Sequence, residues 1–169
     1  RRVNDFTRKA CKMGVDVFRI TGGEYATQIM GLNGFKELVK PYDKRLCKII
    51  HDYGGIVHYH NHGYVDRFLE DFIELDIDSL DPLEIPPYGD IDLSDVKNRL
   101  KGKVCILGSL DDMEVLNKKE ASEIKKMGEK CIKAAGPDGY ILGGTSSGTF
   151  GEKAARNFID LVGVSKKSS

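Results

Sequence analysis

Five short apolar runs, each followed by a stretch with helical spacing, limit what this chain of 169 residues can become. The runs are Val15-Asp16-Val17-Phe18-Arg19-Ile20, the stretch 56–62, Ser79-Leu80-Asp81-Pro82-Leu83-Glu84, Lys103-Val104-Cys105-Ile106-Leu107-Gly108 and Tyr140-Ile141-Leu142. Helical spacing is predicted over 4–13, 34–53, 65–75, 93–100, 119–135 and 151–162, with a helical turn over 112–116. Gly14 is expected to end the first helix, Asn33 to cap the second, and Pro41 to divide that second helix in two. Alternation of strand and helix predicts a parallel sheet with helices packed outside it. A doubly wound sheet and a (β/α)8 TIM-type barrel both fit. No G-x-G-x-x-G follows the first run, which argues against the dinucleotide-binding version. A whole barrel takes about eight strands and roughly 250 residues. Five strands therefore predict a partial barrel made of the later βα units, with 1–169 as one domain.

Charge narrows the function classes. Lys+Arg and Asp+Glu balance at 26 each, so there is no electrostatic case for binding nucleic acid or an anionic membrane surface. No apolar run approaches the roughly 20 residues that span a bilayer. The start, Arg1-Arg2-Val3, carries no methionine and no signal-peptide pattern, and reads as an excised piece. Cys11, Cys47, Cys105 and Cys131 are widely spaced, with no C-x-x-C pair. They are expected to be buried thiols in a reducing cytosol, which makes the expected location cytoplasmic.

Chemistry concentrates in Gly54-Gly55-Ile56-Val57-His58-Tyr59-His60-Asn61-His62-Gly63. Side chains two apart on a strand share a face, so His58, His60 and His62 are expected on one side. Clustered imidazoles at a strand end suit metal binding or proton transfer, and also a plain hydrogen-bonded polar strand end. A His-x-His pair holds two positions of a tetrahedral zinc, and Glu84 at the next strand end adds an oxygen, leaving a fourth place for substrate. Glu84 acting only as an acceptor that fixes a neighbouring loop or histidine is the alternative. His58 is read as packing or as support for the ligands, and His51 as solvated. Glu24 and Tyr25 are candidates for substrate contact at the first strand's loop, or an exposed loop pair. Asp111 either lines the mouth or caps the turn at Asp112. The loop at Gly143-Gly144 and Ser146-Ser147-Gly148 only loosely suggests phosphate binding and reads as a flexible loop. The lysine-rich helix over 118–133 is a solvated face.

Four segments in order resemble the uroporphyrinogen decarboxylase-like superfamily, from about residue 14 to about residue 162. They are Gly23-Glu24-Tyr25 with Phe35-Lys36-Glu37-Leu38-Val39-Lys40-Pro41-Tyr42; then Val57-His58-Tyr59-His60-Asn61-His62-Gly63; then Pro82-Leu83-Glu84-Ile85-Pro86-Pro87 with Asp90-Ile91-Asp92-Leu93; and last Val104-Cys105-Ile106-Leu107-Gly108-Ser109-Leu110-Asp111 with Gly139-Tyr140-Ile141-Leu142. The resemblance implies a (β/α)8 barrel, of which this chain supplies about strands four to eight. It implies either cobalamin-dependent methyl transfer or porphyrinogen decarboxylation.

In the methyltransferase branch, the resemblance implies zinc held by His and Cys on the strand that carries H-x-C-G, and by a later Cys. Here His60 matches the His, His62 stands in place of the Cys, and the later position falls near Ser147, a poor zinc ligand. The decarboxylases' histidine in that last loop is also absent. The implied leading function is metal-assisted transfer of a methyl group between a corrinoid, carried on a partner protein, and a small-molecule donor or acceptor. Metal-free decarboxylation in porphyrin biosynthesis is the alternative, and a non-catalytic fragment the third reading. A partial barrel leaves two sheet edges and part of its core uncovered, so either association with a partner or a second copy, or a longer natural protein, is expected.

Overall fold

The computed structural model describes residues 2–100, 102–145 and 151–168. Seven helices and five strands alternate: α1 (Arg2–Lys12), β1 (Val17–Ile20), α2 (Gly31–Leu38), α3 (Lys40–Asp52), β2 (Ile56–His60), α4 (Leu69–Glu74), β3 (Ser79–Asp81), α5 (Leu93–Leu100), β4 (Cys105–Leu110), α6 (Ala121–Ala135), β5 (Tyr140–Gly144) and α7 (Glu152–Ser168). Short helical turns at Ala26–Met30, Asp66–Phe68 and Asp112–Leu116 precede α2, α4 and α6.

The strands lie in the order β1-β2-β3-β4-β5, and every pair is parallel. Sequential order with helical crossovers is the winding of a TIM-type barrel. The chain is a five-unit part of one.

The register assigns each side chain to a face. Phe18 pairs with Val57, Ile20 with Tyr59, Tyr59 with Leu80, and Leu80 with Ile106. Ile20, Val57, Tyr59, Leu80 and Ile106 are buried in the main core with Phe35, Phe68 and Phe72 from the helical layer. Phe72 stacks edge-on to Phe35 at 5.6 Å and tilts against Tyr59 at 5.5 Å. A second core gathers Leu110, Val115, Leu116, Ile124, Ala154 and Leu161 beneath α6 and α7.

The alternate residues occupy the other face: Val17, Arg19, Ile56, His58, His60, Ser79, Asp81, Cys105, Leu107 and Ile141. Val17, Ile56 and Ile141 are 55%, 48% and 52% exposed, so this face is not covered within the chain. It is the face that lines the interior of a complete barrel.

Three expectations are corrected. The run 79–84 is a strand only to Asp81, because Pro82 has no N–H for the ladder and Leu83 adopts φ 22°. Asn33 lies inside α2, which starts at Gly31, and does not cap it. The last helix does not stop at 162 but runs to Ser168, with Lys166 and Lys167 in its last turn, where cations favour the helix C-terminus. Pro41 does divide the second helix, sitting in the first turn of α3, where its missing N–H costs nothing. All four cysteines are free thiols. Among the described residues no helix is long and apolar enough to cross a membrane.

Candidate functional site

The barrel-side face of β2 carries His58 and His60, and His62 follows in the loop. The β2–β3 register sets Ser79 opposite His58 and Asp81 opposite His60. This register builds a polar network. His58 Nδ1 lies 2.8 Å from Ser79 Oγ, and its Nε2 lies 2.9 Å from Asp81 Oδ1. His60 Nδ1 lies 2.9 Å from the same Asp81 oxygen. Arg19, on β1 beside His58, reaches in: its Nη2 is 2.7 Å from His60 Nδ1 and donates to Asp81 Oδ2 at 3.3 Å. Burial alone raises the Asp81 carboxyl, but the hydrogen bonds and charge of His58 and His60 more than offset it and hold the group well below the usual carboxylate range.

His62 has a carboxylate of its own. Its Nδ1 is 3.1 Å from Glu84 Oε1, and the other Glu84 oxygen accepts the Gly63 N–H at 2.6 Å. Gly63 sits at φ 87°, a conformation that side chains disfavour, so the chain turns here and aims its N–H at Glu84. Gln28 and Asn61 both donate to the His62 carbonyl, at 3.0 and 3.1 Å. The hydrogen bond to Glu84 and that residue's charge raise the His62 pKa above the ordinary value, against a smaller opposing effect of burial; the charges of Glu24 and Asp81 add to the rise. The His60 and His62 rings meet edge-on with centroids 4.5 Å apart.

His60, His62 and Glu84 are thus brought together, but not as three ligands around one point. Both Glu84 oxygens are engaged by His62 and Gly63. Among the described residues no group of three or more His, Cys, Asp or Glu side chains is arranged to hold a metal. What the donor set does offer is two imidazoles whose Nδ1 atoms each face a buried carboxylate, which leaves the two Nε2 atoms as the donors. That is the arrangement in which carboxylates orient metal-binding histidines. The residues therefore fit two positions of a metal site, with Glu84 behind one ligand. Ser147, the position expected for a further ligand, lies outside the described residues, as do Ser146 and Gly148.

His58 has both ring nitrogens engaged by Ser79 and Asp81, in keeping with a supporting role. His51 is not simply solvated: its ring lies 2.9 Å from Asp78 and 3.4 Å from Asp76. Asp111 caps the turn at Asp112–Leu116 by accepting the Glu114 N–H, and it also lines the mouth. A cavity of about 430 Å³ there is bounded by Glu84, Ile85, Tyr88, Ser109, Asp111 and Thr145. Glu24 accepts the Gly22 N–H and stays partly exposed, and Tyr25 is 69% exposed.

Sequence reasoning missed Arg19 and Asp81 as members of the site. A charged residue at an alternate position of an otherwise apolar strand, and an aspartate just before Pro82, were the available signals. Their meeting with His60 depends on register between three strands.

Comparisons with known proteins agree with the geometry. The family model for uroporphyrinogen decarboxylase (URO-D) matches residues 2–159. A methyltransferase from Methanosarcina mazei superposes with a TM-score of 0.74 at 14% identity, over 96% of this chain and 45% of that one. The chain thus spans less than half the length of that protein. A D-psicose 3-epimerase matches with a TM-score of 0.45 at 13% identity, over 84% of this chain and 57% of its own. No curated protein matches the sequence. The chain belongs to the uroporphyrinogen decarboxylase family.

Proposed function

We propose that this chain is part of a methyltransferase that moves a methyl group between a corrinoid, carried on a partner protein, and a small-molecule donor or acceptor, with zinc held by His60 and His62. The observation that carries this reading is the adjacent imidazole pair, each ring backed at Nδ1 by its own buried carboxylate. The fold likeness to a methyltransferase is in keeping with it. Zinc at such a site supplies Lewis acidity that brings a bound thiol or water to its anion near neutral pH.

The chain's own residues set the surroundings. Asp81 and Glu84 orient the two rings. Gly63 N–H and the Gln28 and Asn61 amides fix the backbone at His62. The cavity at Asp111 gives a small substrate room beside Glu84, the partner of His62. Glu24 and Tyr25, on the loop after β1, stand where a partner or substrate approaches from solvent. The four free thiols fit a reducing cytoplasm, where we place the protein.

The test is methyl loss from free methylcobalamin to a small thiol, followed by absorbance, with zinc-loaded protein. The reading expects turnover above that of zinc alone, lost in His60→Ala and His62→Ala. Equal rates with protein and with free zinc would sink it.

A second reading, metal-free decarboxylation of a porphyrinogen, is favoured by Arg19: its half-exposed guanidinium on the same face suits a substrate carboxylate. Carbon dioxide release from uroporphyrinogen in the presence of a chelator would select it.

A further inference from the structure

Asp81 is a carboxylate that both neighbouring histidines share, and its side chain is only 3% exposed. Its Oδ1 faces His58 Nε2 and His60 Nδ1, each at 2.9 Å. Arg19 Nη2 also lies 2.7 Å from His60 Nδ1. Ionised Asp81 can only accept a hydrogen bond, and Arg19 can only donate one. One ring nitrogen cannot answer both, so the tautomer of His60 is decided by which conflict is dearer.

A bare Nδ1 would turn its lone pair on a buried carboxylate oxygen with no solvent between them. A protonated Nδ1 conflicts only with the guanidinium. Arg19 has relief that Asp81 lacks: its side chain is 45% exposed, and Asp81 Oδ2 is an alternative acceptor at 3.3 Å. Leaving a buried charged acceptor unsatisfied costs more than shifting a half-solvated donor. His58 falls into line as well. Its Nε2–H donates to Asp81, and its Nδ1 accepts the Ser79 hydroxyl at 2.8 Å. Of the four ring nitrogens of His58 and His60, only His60 Nε2 is then left without a hydrogen-bond partner among the described residues.

We propose that Asp81 is a positioning residue: it fixes neutral His60 as the Nδ1–H tautomer and so presents Nε2 as a donor atom. Arg19 and His58 occupy the rest of the carboxylate and hold it in place. This deepens the metal reading of the same site, and its purpose, though not the tautomer itself, rests on that reading.

The tautomer can be read without metal. Two-bond proton–nitrogen spectra of the histidine rings, recorded on the metal-free 169-residue chain at about pH 8, where an ordinary histidine is neutral, should show His60 protonated at Nδ1. Asp81→Ala removes the acceptor and leaves the Arg19 donor alone at His60 Nδ1, so the proton should move to Nε2. Arg19→Gln leaves the carboxylate in place and should not change the tautomer. In zinc titrations against a competing chelator, Asp81→Ala should weaken binding by about 10–100-fold, the range for lost support behind a ligand.

Wild-type His60 protonated at Nε2 would overturn the proposal without any variant having to fold. So would a switch of tautomer in Arg19→Gln, or an Asp81→Ala protein with unchanged tautomer and zinc affinity. If wild type shows the Nδ1–H tautomer yet takes up no zinc, the tautomer assignment stands and the metal reading falls.

Discussion

Replacing Gly89 with alanine tests whether the loop after β3 holds Glu84 in position. Gly89 folds back on Glu84, with its N–H donating to the Ile85 carbonyl at 3.2 Å. A Cβ there would lie 1.9 Å from the Glu84 carbonyl oxygen, 2.7 Å from its carbon and 2.8 Å from its Cβ. Ordinary contact begins at 3.4 Å, and two of these three atoms are backbone, so no side chain can swing aside. Either the loop or Glu84 must move by more than an ångström. Glu84 meets the added methyl through its own backbone, and a shift of Glu84 by that much breaks the Gly63 N–H bond at 2.6 Å or the His62 contact at 3.1 Å. Overpacking costs about 1–3 kcal/mol and the loss of a charge-assisted hydrogen bond about 1.5–3 kcal/mol, so the change is about 2.5–6 kcal/mol. At roughly 2–4 °C per kcal/mol for a domain of this size, melting should fall by about 5–24 °C. Calorimetry reads the melting, and histidine ring spectra read the site. Gly136→Ala is the control: at φ 74° and ψ 175° the backbone is strained for a side chain, but no atom lies within 4 Å of a built Cβ, so it should cost about 1–3 kcal/mol and leave His62 unchanged. If Gly89→Ala melts like wild type with unmoved His62 signals, or if Gly136→Ala does more damage, the reasoning is refuted.

Two further predictions concern stability. Phe72→Ala should cost about 3–5 kcal/mol in urea unfolding, because the ring is fully buried among Phe35, Tyr59 and Phe68; a loss under about 1 kcal/mol would contradict the core described above. Burial lowers the His51 pKa, but hydrogen bonds and charge from Asp78 and Asp76 outweigh it and raise the group above its ordinary value. Its contribution is therefore complete below about pH 6.5, the unfolded value, and is lost as pH rises through the folded one. Urea midpoints measured across that interval should show a slope that His51→Gln flattens, and an unchanged slope would count against the pairing.

Much of the architecture was legible because it rests on local pattern. Apolar runs bounded by glycine marked β2 and β4, and helical spacing marked α5 over the very residues observed. Pro41 marked the break between α2 and α3 because its chemistry is local too. The limits of local reading appear at β3. The run through Glu84 looks strand-like, yet Pro82 cannot join the ladder, and the chain leaves the sheet there. That exit turns Glu84 back toward Gly63, so a residue expected as a ligand instead sits behind the His62 ring. Asp81 and Arg19 stayed invisible for a different reason. Each lies in its own strand, and only the pairing of Arg19 with His58 and of His60 with Asp81 brings them together. Glu84 was expected near His62 because it follows the next strand, whereas the carboxylate behind His60 comes from register alone.

The central claim is that His60 and His62 are the two imidazole donors of one metal site. Crystals of the zinc-loaded chain, measured at the zinc absorption edge, test it directly. The account predicts one anomalous peak about 2.0–2.1 Å from both Nε2 atoms, with Glu84 still on His62 Nδ1 and Asp81 on His60 Nδ1. A peak bound through Nδ1, a peak elsewhere in the molecule, or no peak at all would contradict it.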